Sequence, residues 1–299
     1  FRQVPGIDFD LSYSPTISHG GFRLFCVISV IMCTYKGAAD AISAYTQSEL
    51  PPNERVWVRM PKNYRKYDEH GQELAALLGQ SLYGLVQSGR NWWLKLSMWL
   101  EAFGFIVAFS EPCLYVLRDE DSFMVMATYV DDMPWGSNDM KLVRKVFEAM
   151  EKDGFKLTWH EGLDEVLGAQ LKEVSDGIIL HQGDYINKLV GAHLEEMTKY
   201  EDTLRNTVDT PCNSYLGKDV IEAQDEKERI KTELDPKFGT KYRGLVGSLL
   251  YAAVVSNPDI SYTVGQLCRA MSFPTVNLWH AALHCLLYLK NRGTMGLKY

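Results

Sequence analysis

The sequence lacks the features of a secreted or membrane-embedded protein. Its six cysteines are scattered, with no CxxC pair and no dense framework that would staple a small secreted domain. The most apolar run, LFCVISVIMC (24–33), has ten residues including a serine. It is too short to cross a bilayer and predicts a buried helix over 22–34. The N-terminal FRQVPGIDFD has no methionine and resembles no signal peptide. We therefore expect a reduced, intracellular chain with no membrane partner.

Acidic residues are also missing, from the end of the chain. After Asp259 there is none, while Arg269, Lys290, Arg292 and Lys298 remain, in a protein of formal net charge −7. Such a stretch could form a cationic surface that binds phosphates locally. It could equally be the solvated face of ordinary helices. Composition leaves both interpretations open.

What is present indicates a globular protein. The 299 residues are 46% hydrophobic, 12% aromatic and 23% charged, enough for one large or two ordinary domains. ERVWVRMP (54–61) alternates with period two and predicts a short strand. ELAALLGQSLYGL (73–85) and the segment from Gly89 to Gly104 predict helices, the second with a glycine at its C-cap.

The second half of the chain predicts more mixed structure. Two apolar runs separated by RDEDS predict a hairpin over 113–132, and an amphipathic helix follows over 140–154. Short strands and a helix alternate over 155–190. Residues 196–240 are charge-dense and predict a linker, before a final helical block. The order predicts an α+β layer with an antiparallel hairpin at its centre.

Two adjacent aspartates end the apolar run of that hairpin. Asp131 and Asp132 repel each other, which is unfavourable unless a cation offsets the repulsion. Mg²⁺ prefers oxygen ligands and is usually held by one or two carboxylates together with substrate phosphates. A further carboxylate would have to come from elsewhere, and Asp40 is the candidate. Asp-Asp pairs are also common at turns, so the residues alone do not decide between a metal site and an ordinary turn.

The surrounding segments resemble a known family. Tyr129-Val130-Asp131-Asp132 matches the YxDD motif of reverse transcriptases, and its context resembles copia-type LTR retrotransposon polymerases. The segments that carry the resemblance keep the family's order over nearly the whole chain: QVPGIDFDLSYSPTISHGGFRL (3–24), DAISAYTQSEL (40–50), SLYGLVQSGRNWW (81–93), CLYV (113–116), ATYVDD (127–132), LGAQLKEVSDGIILHQGDYINKLV (167–190), YRGLVGSLLYAAVVSNPDISYTVGQLCRAMSFPT (242–275) and HAALHCLLYLKNRGTMGLKY (280–299). This co-linearity is more specific than any single motif.

The resemblance implies a right-hand polymerase fold with incomplete fingers. Its palm would carry a ferredoxin-like antiparallel sheet. Residues 1–195 would form partial fingers, palm and primer-grip region, and 196–299 a thumb or connection region. The implied activity is RNA-directed DNA synthesis, in which a primer 3′-hydroxyl attacks the α-phosphate of a dNTP. The implied partners are an RNA template, a DNA or tRNA primer, dNTPs, and the RNase H and integrase of a Pol polyprotein. An active element would place the protein in a cytoplasmic virus-like particle.

The resemblance also implies roles for individual residues. Asp40 and Asp131, with Asp132 beside them and the Ala41 carbonyl, would bind two Mg²⁺ ions, for which Mn²⁺ could substitute. The remaining implied positions are Tyr45 under the nucleotide sugar, Gln87, Ser88 and Arg90 supporting nucleotide and template, and Leu167 and Gly168 at the primer end. Two alternatives stay open: Tyr45 as a core residue, and Arg90 as a solvated residue at a helix N-terminus.

Several positions depart from the family pattern. Ala38 and Ala39 replace larger residues before Asp40, which predicts a weakened strand. Gly89 replaces a proline, and Pro134 removes a ladder donor from the return strand of the hairpin. Phe1 would directly follow a basic stretch, and the chain would stop before an RNase H domain. The expectation is therefore an internal fragment of a polyprotein, either active or an inactive remnant that binds nucleic acid through its cationic C-terminal helices.

A pair of histidines at i and i+4, His280 and His284, is the remaining candidate site. Two histidines with this spacing can ligate zinc on a helix. No glutamate follows His280 directly and no third ligand is evident from the sequence. We therefore predict an ordinary pair on a helix face.

Overall fold

The computed structural model describes residues 3–204 and 207–299. They form two compact units, Phe1–Leu163 and Asp164–Tyr299, each described here by itself. Phe1, which is predicted to follow a basic stretch directly, lies outside the described residues. Residues 205–206 of the predicted linker also lie outside them. Within the described ranges, no helix is both long enough and apolar enough to cross a membrane.

The first unit is built on a six-stranded antiparallel sheet. A separate two-stranded sheet joins β2 to β3. The large sheet has the order β4-β5-β6-β7-β1-β8, so β1 lies inside it, between β7 and β8. The strands are β1 (Tyr35–Ala41), β2 (Trp57–Arg59), β3 (Ala75–Leu77), β4 (Ile106–Ala108), β5 (Glu111–Asp119), β6 (Ser122–Ala127), β7 (Asp132–Ser137) and β8 (Leu157–Glu161). The predicted hairpin over 113–132 is confirmed as β5 and β6.

Three helices cover the two faces of this sheet: α1 (His19–Met32), α2 (Ser88–Phe103) and α3 (Met140–Lys152). Side chains alternate along a strand, so neighbouring residues meet different helices. On β7, Met133 and Trp135 pack in the core with α2 and α3, whereas a Cβ at Gly136 would meet Ser29 and Cys33 beside α1. The predicted helices near 22–34, 89–104 and 140–154 are confirmed, and Gly104 ends α2 with φ +117°.

The small residues of β1 do not interrupt it. Residues 35–40 pair with β7, and residues 37–41 pair with β8. Gly37 lies opposite Trp135, and a Cβ at Gly37 would come within 2.4 Å of that indole ring. The large side chain on β7 therefore occupies the space that a larger residue on β1 would need. The prediction of a weakened strand is wrong, because β1 pairs continuously on both sides and Trp135 fills the space beside it.

Pro134 removes a hydrogen bond on one side of β7 only. The β6–β7 pairing runs to Met126 opposite Trp135 and resumes at Tyr129 opposite Asp132. Asp132 N–H donates toward Tyr129, and N–H groups alternate sides along a strand, so the donor missing at position 134 would point to β6. On the other side, Ala38 still pairs with Pro134 in a continuous register. The predicted loss of a donor is confirmed, and it leaves the β1 pairing unbroken.

One predicted helix is wrong. Residues 73–85 form the short β3, which pairs antiparallel with β2, followed by turns. Gly79 and Gly84 interrupt the apolar pattern, and Gly84 has φ +100°. The uninterrupted part is shorter than the roughly 12–15 residues that an isolated helix needs. Cross-strand pairing with β2 therefore determines the structure of this segment.

The second unit combines a four-stranded antiparallel sheet with seven described helices. The sheet has the order β12-β11-β10-β9, and the core surrounds α8 and α10. The strands are β9 (Glu165–Val166), β10 (Ala169–Val174), β11 (Gly177–His181) and β12 (Leu297–Lys298). The helices are α4 (Gly183–Ala192), α5 (Leu194–Glu201), α6 (Leu216–Asp225), α7 (Lys227–Glu233), α8 (Pro236–Val255), α9 (Ser261–Cys268) and α10 (Val276–Arg292).

The predicted linker is largely helical. Its described residues contribute to α5, α6, α7 and the start of α8, and α6 buries Leu216, Val220 and Ala223. These three residues recur at helical spacing, but the charged residues between them dominate the composition. The compact units also divide at 163/164, so residues 164–195 pack with the helices that follow them rather than with the first unit.

The C-terminal cations are mostly paired with acids from earlier in the chain. Lys290 lies 3.5 Å from Glu201, and Lys298 lies 2.6 Å from Asp176. Arg292 forms an ion pair with Asp259. Of the two interpretations left open for this stretch, the ion pairs favour an ordinary solvated helix face, since acidic residues that are distant in sequence neutralise three of its four charges.

The histidine pair of α10 is structural. The carbonyl of Thr210 can only accept, so His284 Nε2–H donates to it at 3.1 Å, and Nδ1 accepts from the Tyr200 hydroxyl at 3.0 Å. His280 is exposed and stacks on the Tyr200 ring. Among the described residues, no group of three or more metal-ligating side chains is present. The hydrogen bonds of His284 and the ring contact of His280 agree with the prediction of an ordinary pair on a helix face.

Burial of His284 predicts a pH-dependent stability. Burial lowers its pKa below 6.5, so the folded state binds fewer protons than the unfolded chain. The contribution of His284 to the free energy of unfolding is then complete above pH 6.5. It decreases as the pH drops below that value, by at most about 1.4 kcal/mol per pH unit for one proton. We expect His284→Gln to flatten part of this fall in urea unfolding between pH 8 and 5. His280→Gln is the control. An equal slope in His284→Gln and wild type would contradict the prediction.

Candidate active site

The ends of β1 and β7 bring the predicted aspartates together. Asp40 lies directly opposite Asp132 in the antiparallel register. One residue further along, Ala41 N–H donates to the Asp131 carbonyl at 3.0 Å. The side chain of Ala41 is buried, whereas Asp40 is exposed at the strand end. Backbone pairing therefore brings together two segments, 40–41 and 131–132, that lie about ninety positions apart in the sequence.

Asp131 lies in a two-residue turn that joins β6 to β7. Tyr129 N–H donates to the Asp132 carbonyl at 2.8 Å, and Asp132 N–H donates to the Tyr129 carbonyl at 3.0 Å. Val130, at the tip, has φ +57°. A β-branched residue is rare in this left-handed region, and the conformation costs about 1–3 kcal/mol. The rest of the fold therefore imposes the shape of the turn on the residue at its tip.

The carboxylates of Asp40 and Asp131 repel each other. The pKa of Asp40 is raised, first because the surrounding protein displaces water from the carboxyl and second because of the charge on Asp131. A divalent cation would offset this repulsion, and carboxylate oxygens are the donors that Mg²⁺ prefers. The donor chemistry therefore fits such an ion. The described residues bring no third side chain of a metal-ligating type into one cluster.

Tyr45 borders the same site. It lies in a short 3₁₀ helix, Ala44–Gln47, that directly follows β1. Burial raises its pKa, and the charge of Asp131 raises it further. Its ring lies 4.7 Å from the ring of Tyr83, and part of its side chain packs against the core of the unit. The two interpretations of Tyr45 are therefore compatible, because one side contacts the core while the other faces the aspartates.

Comparison with known proteins decides the family. A family model described as Reverse transcriptase (RNA-dependent DNA polymerase) matches residues 1–213. The chain belongs to this family. No solved structure matches the chain.

Three relatives of this reverse transcriptase domain are retrotransposon proteins. It is 28% identical over 297 residues to the Retrovirus-related Pol polyprotein from transposon RE2 of Arabidopsis thaliana, covering 99% of this chain and 19% of that protein. The corresponding polyprotein from transposon TNT 1-94 of Nicotiana tabacum is 26% identical over 302 residues, 99% of this chain and 21% of that protein. The putative transposon Ty5-1 protein of Saccharomyces cerevisiae is 29% identical over 262 residues, 87% of this chain and 78% of that protein. The chain spans about a fifth of the plant polyproteins.

The other positions implied for the reverse transcriptase site have structural partners. Gln87 is fully buried, and its side chain bonds to Gln3, to the Asp8 carbonyl and to Glu54. The hydroxyl of the buried Ser88 donates to the Leu82 carbonyl at 2.7 Å. Both side chains therefore hold the N-terminal segment and the start of α2, and any support of nucleotide or template by them is indirect.

Arg90 and Gly89 lie in the first turn of α2. Arg90 donates to the Tyr13 carbonyl at 3.1 Å in an exposed bond, in keeping with a solvated residue at a helix N-terminus. A Cβ at Gly89 would meet Ser14 at an ordinary 3.6 Å. Proline suits the first turn of a helix because the N–H that it lacks has no partner within the helix there. Glycine in place of the family's proline therefore leaves the course of α2 intact.

The predicted primer-grip residues belong to the second unit. Leu167 and Gly168 form the two-residue turn between β9 and β10, with φ +58° and +69°. The Tyr251 hydroxyl donates to the Leu167 carbonyl at 3.1 Å, and a Cβ at Gly168 would meet that hydroxyl at 3.0 Å. The turn is thus well defined within its own unit.

Sequence reasoning missed one residue beside the aspartates. Trp92 of α2 is 2% exposed, and its indole N–H donates to the Val130 carbonyl at 2.6 Å. Its sequence signal was its place in SLYGLVQSGRNWW, one of the segments that resemble the family, but nothing in that pattern shows which backbone atom the indole reaches.

Proposed function

We propose that the chain is the polymerase core of a retrotransposon Pol polyprotein and catalyses RNA-directed DNA synthesis. The observation that carries the proposal is the pair formed by Asp40 and Asp131. Two strands of one sheet hold these carboxylates together at their ends, where partial burial and the charge of Asp131 raise the pKa of Asp40. A protein retains such a repulsive pair when a cationic ligand offsets it.

The proposed chemistry is the attack of a primer 3′-hydroxyl on the α-phosphate of a dNTP, with loss of pyrophosphate. Asp40, Asp131 and the Ala41 carbonyl, with Asp132 beside them, would hold two Mg²⁺ ions, for which Mn²⁺ could substitute. These ions, when bound, would neutralise charge that develops on the phosphate. The chain itself positions the reacting groups. The turn at Val130 presents Asp131, and the Tyr45 ring forms a wall on which the nucleotide sugar rests.

The same proposal assigns parts of a right-hand polymerase to the two units. The six-stranded sheet with α2 and α3 would be the palm, and β2 and β3 part of the fingers. In the second unit, the turn at Leu167 and Gly168 would hold the primer end, and the helices after it would form the thumb. The substrates would be an RNA template, a DNA or tRNA primer and dNTPs. RNase H and integrase would belong to the same polyprotein, in a cytoplasmic virus-like particle.

The departures from the family pattern leave the strand pairing and α2 in place, which supports an active protein over an inactive remnant. Pro134 removes a bond to β6, but the pairing that aligns Asp40 with Asp132 continues past it. Gly89 leaves α2 in place. The alternative function, nucleic-acid binding through the C-terminal cations, loses support because most of those cations are paired with acids.

Primer extension on an RNA template tests the proposal directly. We expect the chain to extend a DNA primer with dNTPs in the presence of Mg²⁺, and to lose this activity on chelation of the metal. Asp131→Asn serves as the inactive control. If the unmutated chain fails to extend the primer even when the adjoining Pol segments are restored, the polymerase assignment is wrong.

A further inference from the structure

The turn that carries Asp131 has a conformation that its own residues do not favour. Val130 is β-branched, yet it occupies the left-handed region with φ +57°. Glycine adopts this conformation without a steric penalty, whereas valine does so only when its surroundings impose it. The two hydrogen bonds between Tyr129 and Asp132 close the hairpin, but they do not contact the peptide at its tip.

Trp92 contacts that peptide from a rigid position. The side chain is almost fully buried, and its ring packs edge-on against Phe155, with the centroids 6.0 Å apart. Its indole N–H donates to the Val130 carbonyl at 2.6 Å. Because α2 and the core fix the ring, the turn must adapt to the indole, and a change in the turn would leave a buried donor unpaired.

With this bond, the peptide units before and after Asp131 are both held by hydrogen bonds. The Val130 carbonyl belongs to the peptide unit that precedes Asp131, and Trp92 holds it. The Asp131 carbonyl belongs to the unit that follows, and Ala41 N–H holds it at 3.0 Å. With both peptide planes fixed, the direction of the Cα–Cβ bond of Asp131 is fixed as well. The Cβ of Asp131 is thereby held in place before any ligand binds, which limits the positions that its carboxylate can take beside Asp40.

We propose that Trp92 is a positioning residue that sets the orientation of the Asp131 carboxylate through the Val130 carbonyl. The inference deepens the proposed polymerase function and rests on it for its catalytic consequence. Its structural part, the control of the turn by the indole N–H, stands independently and has its own measurements.

The sharpest variant removes the donor and keeps the shape. Replacing Trp92 by benzothienylalanine exchanges the N–H for sulfur in a ring of similar size, and Trp92→Phe is the simpler genetic form. Trp99→Phe is the matched control: Trp99 also lies on α2, packs against Phe155, and donates its indole N–H, but to Asp153 at 2.8 Å. Circular dichroism and urea unfolding establish that each variant folds.

Three measurements then test the inference. We expect the backbone amide ¹H–¹⁵N shifts of Val130, Asp131 and Asp132 to move in both Trp92 variants and not in Trp99→Phe. Binding of Mn²⁺, followed by water-proton relaxation, should weaken by about 10–100-fold, the usual effect of removing a residue that orients a metal ligand. Primer extension should lose a similar factor in kcat with little change in the KM for dNTP, since only the reacting groups are displaced.

The outcomes separate the inference from the proposed function. Unchanged turn shifts and Mn²⁺ affinity in the benzothienyl variant would overturn the role of Trp92, even if the chain polymerises DNA. An equal loss in Trp99→Phe would also overturn it, because packing against Phe155 would then explain the effect. A chain that shows no extension, but whose turn shifts and Mn²⁺ affinity depend on Trp92, would overturn the polymerase assignment alone.

Discussion

Replacing Asp40 by asparagine is expected to abolish primer extension and, at neutral pH, to make the folded protein slightly more stable. The activity should fall by more than about 10²-fold, because a ligand of the catalytic cations supplies several kcal/mol of transition-state stabilisation. Stability should rise because asparagine removes the repulsion with Asp131 and the partial desolvation of a charged group. The gain is expected to be about 0.2–1 kcal/mol, the range for exposed charge pairs.

The pH dependence of this gain has a defined sign. The pKa of Asp40 is raised in the folded state, so between the unfolded value of 3.8 and the raised value the folded state binds more protons. The favourable contribution of the protonated carboxyl is therefore complete below pH 3.8 and is lost as the pH rises through the folded pKa. Asparagine does not titrate, so Asp40→Asn should not show this loss. Its free energy of unfolding should therefore rise relative to that of wild type as the pH increases from 3.8 through the folded pKa of Asp40.

Urea unfolding from pH 3.5 to 7, combined with primer extension, measures both effects. Asp121→Asn is the control, since Asp121 is an exposed residue between β5 and β6. We expect it to extend the primer at the wild-type rate. Loss of activity together with loss of stability in Asp40→Asn would show that Asp40 holds the fold together, and would contradict its assignment to a metal site.

The parts of this site that could be predicted from sequence are the local ones. Asp131 and Asp132 end an apolar run, and the run forms the predicted strand before the two-residue turn. The residues alone made Asp40 a candidate, but only the family resemblance assigned it to the site, because no local pattern places its strand beside β7. The burial of Gln87 could not be predicted either, since its partners lie more than thirty positions away in sequence.

Errors in the predicted fold have a similar origin. The segment 73–85 has helical periodicity but pairs with β2, and tertiary pairing overrode a weak local preference. The charge-dense segment 196–240 contains apolar residues at helical spacing, which pack against helices that are distant in sequence. The charged residues between them obscure this pattern. The C-terminal cations look unopposed along the sequence because Glu201 and Asp176 pair with them only in the fold.

The small residues of β1 are the clearest case of a departure that sequence alone misjudges. Alanine in place of larger apolar residues predicts a weak strand, and the sequence gives no sign that a tryptophan of the hairpin lies beside it. In the fold the two meet: Gly37 lies opposite Trp135, whose ring also packs edge-on against Phe147 and Trp159. The effect of each residue on stability depends on the size of the other. Their complementarity is therefore evident only once β1 is paired with β7.

This complementarity predicts that Gly37→Ala strongly destabilises the first unit. A Cβ at position 37 would lie 2.1 Å from the His160 carbonyl oxygen and 2.4 Å from the Trp135 ring. The carbonyl belongs to the backbone of β8 and cannot rotate away, so the strand that carries Asp40 must shift. We expect a loss of about 3 kcal/mol or more in urea unfolding, at the upper end for overpacked cores.

Two further variants separate the causes of this loss. Gly79→Ala is the control, because among the described residues no heavy atom outside its chain neighbours lies within 4 Å of a Cβ at that position. Trp135→Leu in the Gly37→Ala background removes the ring contact but leaves the His160 carbonyl in place. It should therefore restore little of the lost stability. Full recovery would show that the ring alone excludes a side chain at position 37. Wild-type stability of Gly37→Ala itself would contradict the close packing of β1 between β7 and β8.

Because Asp40 lies three residues further along β1, a partly folded Gly37→Ala protein should also bind Mn²⁺ more weakly, which links the packing of this strand to the geometry of the aspartate pair.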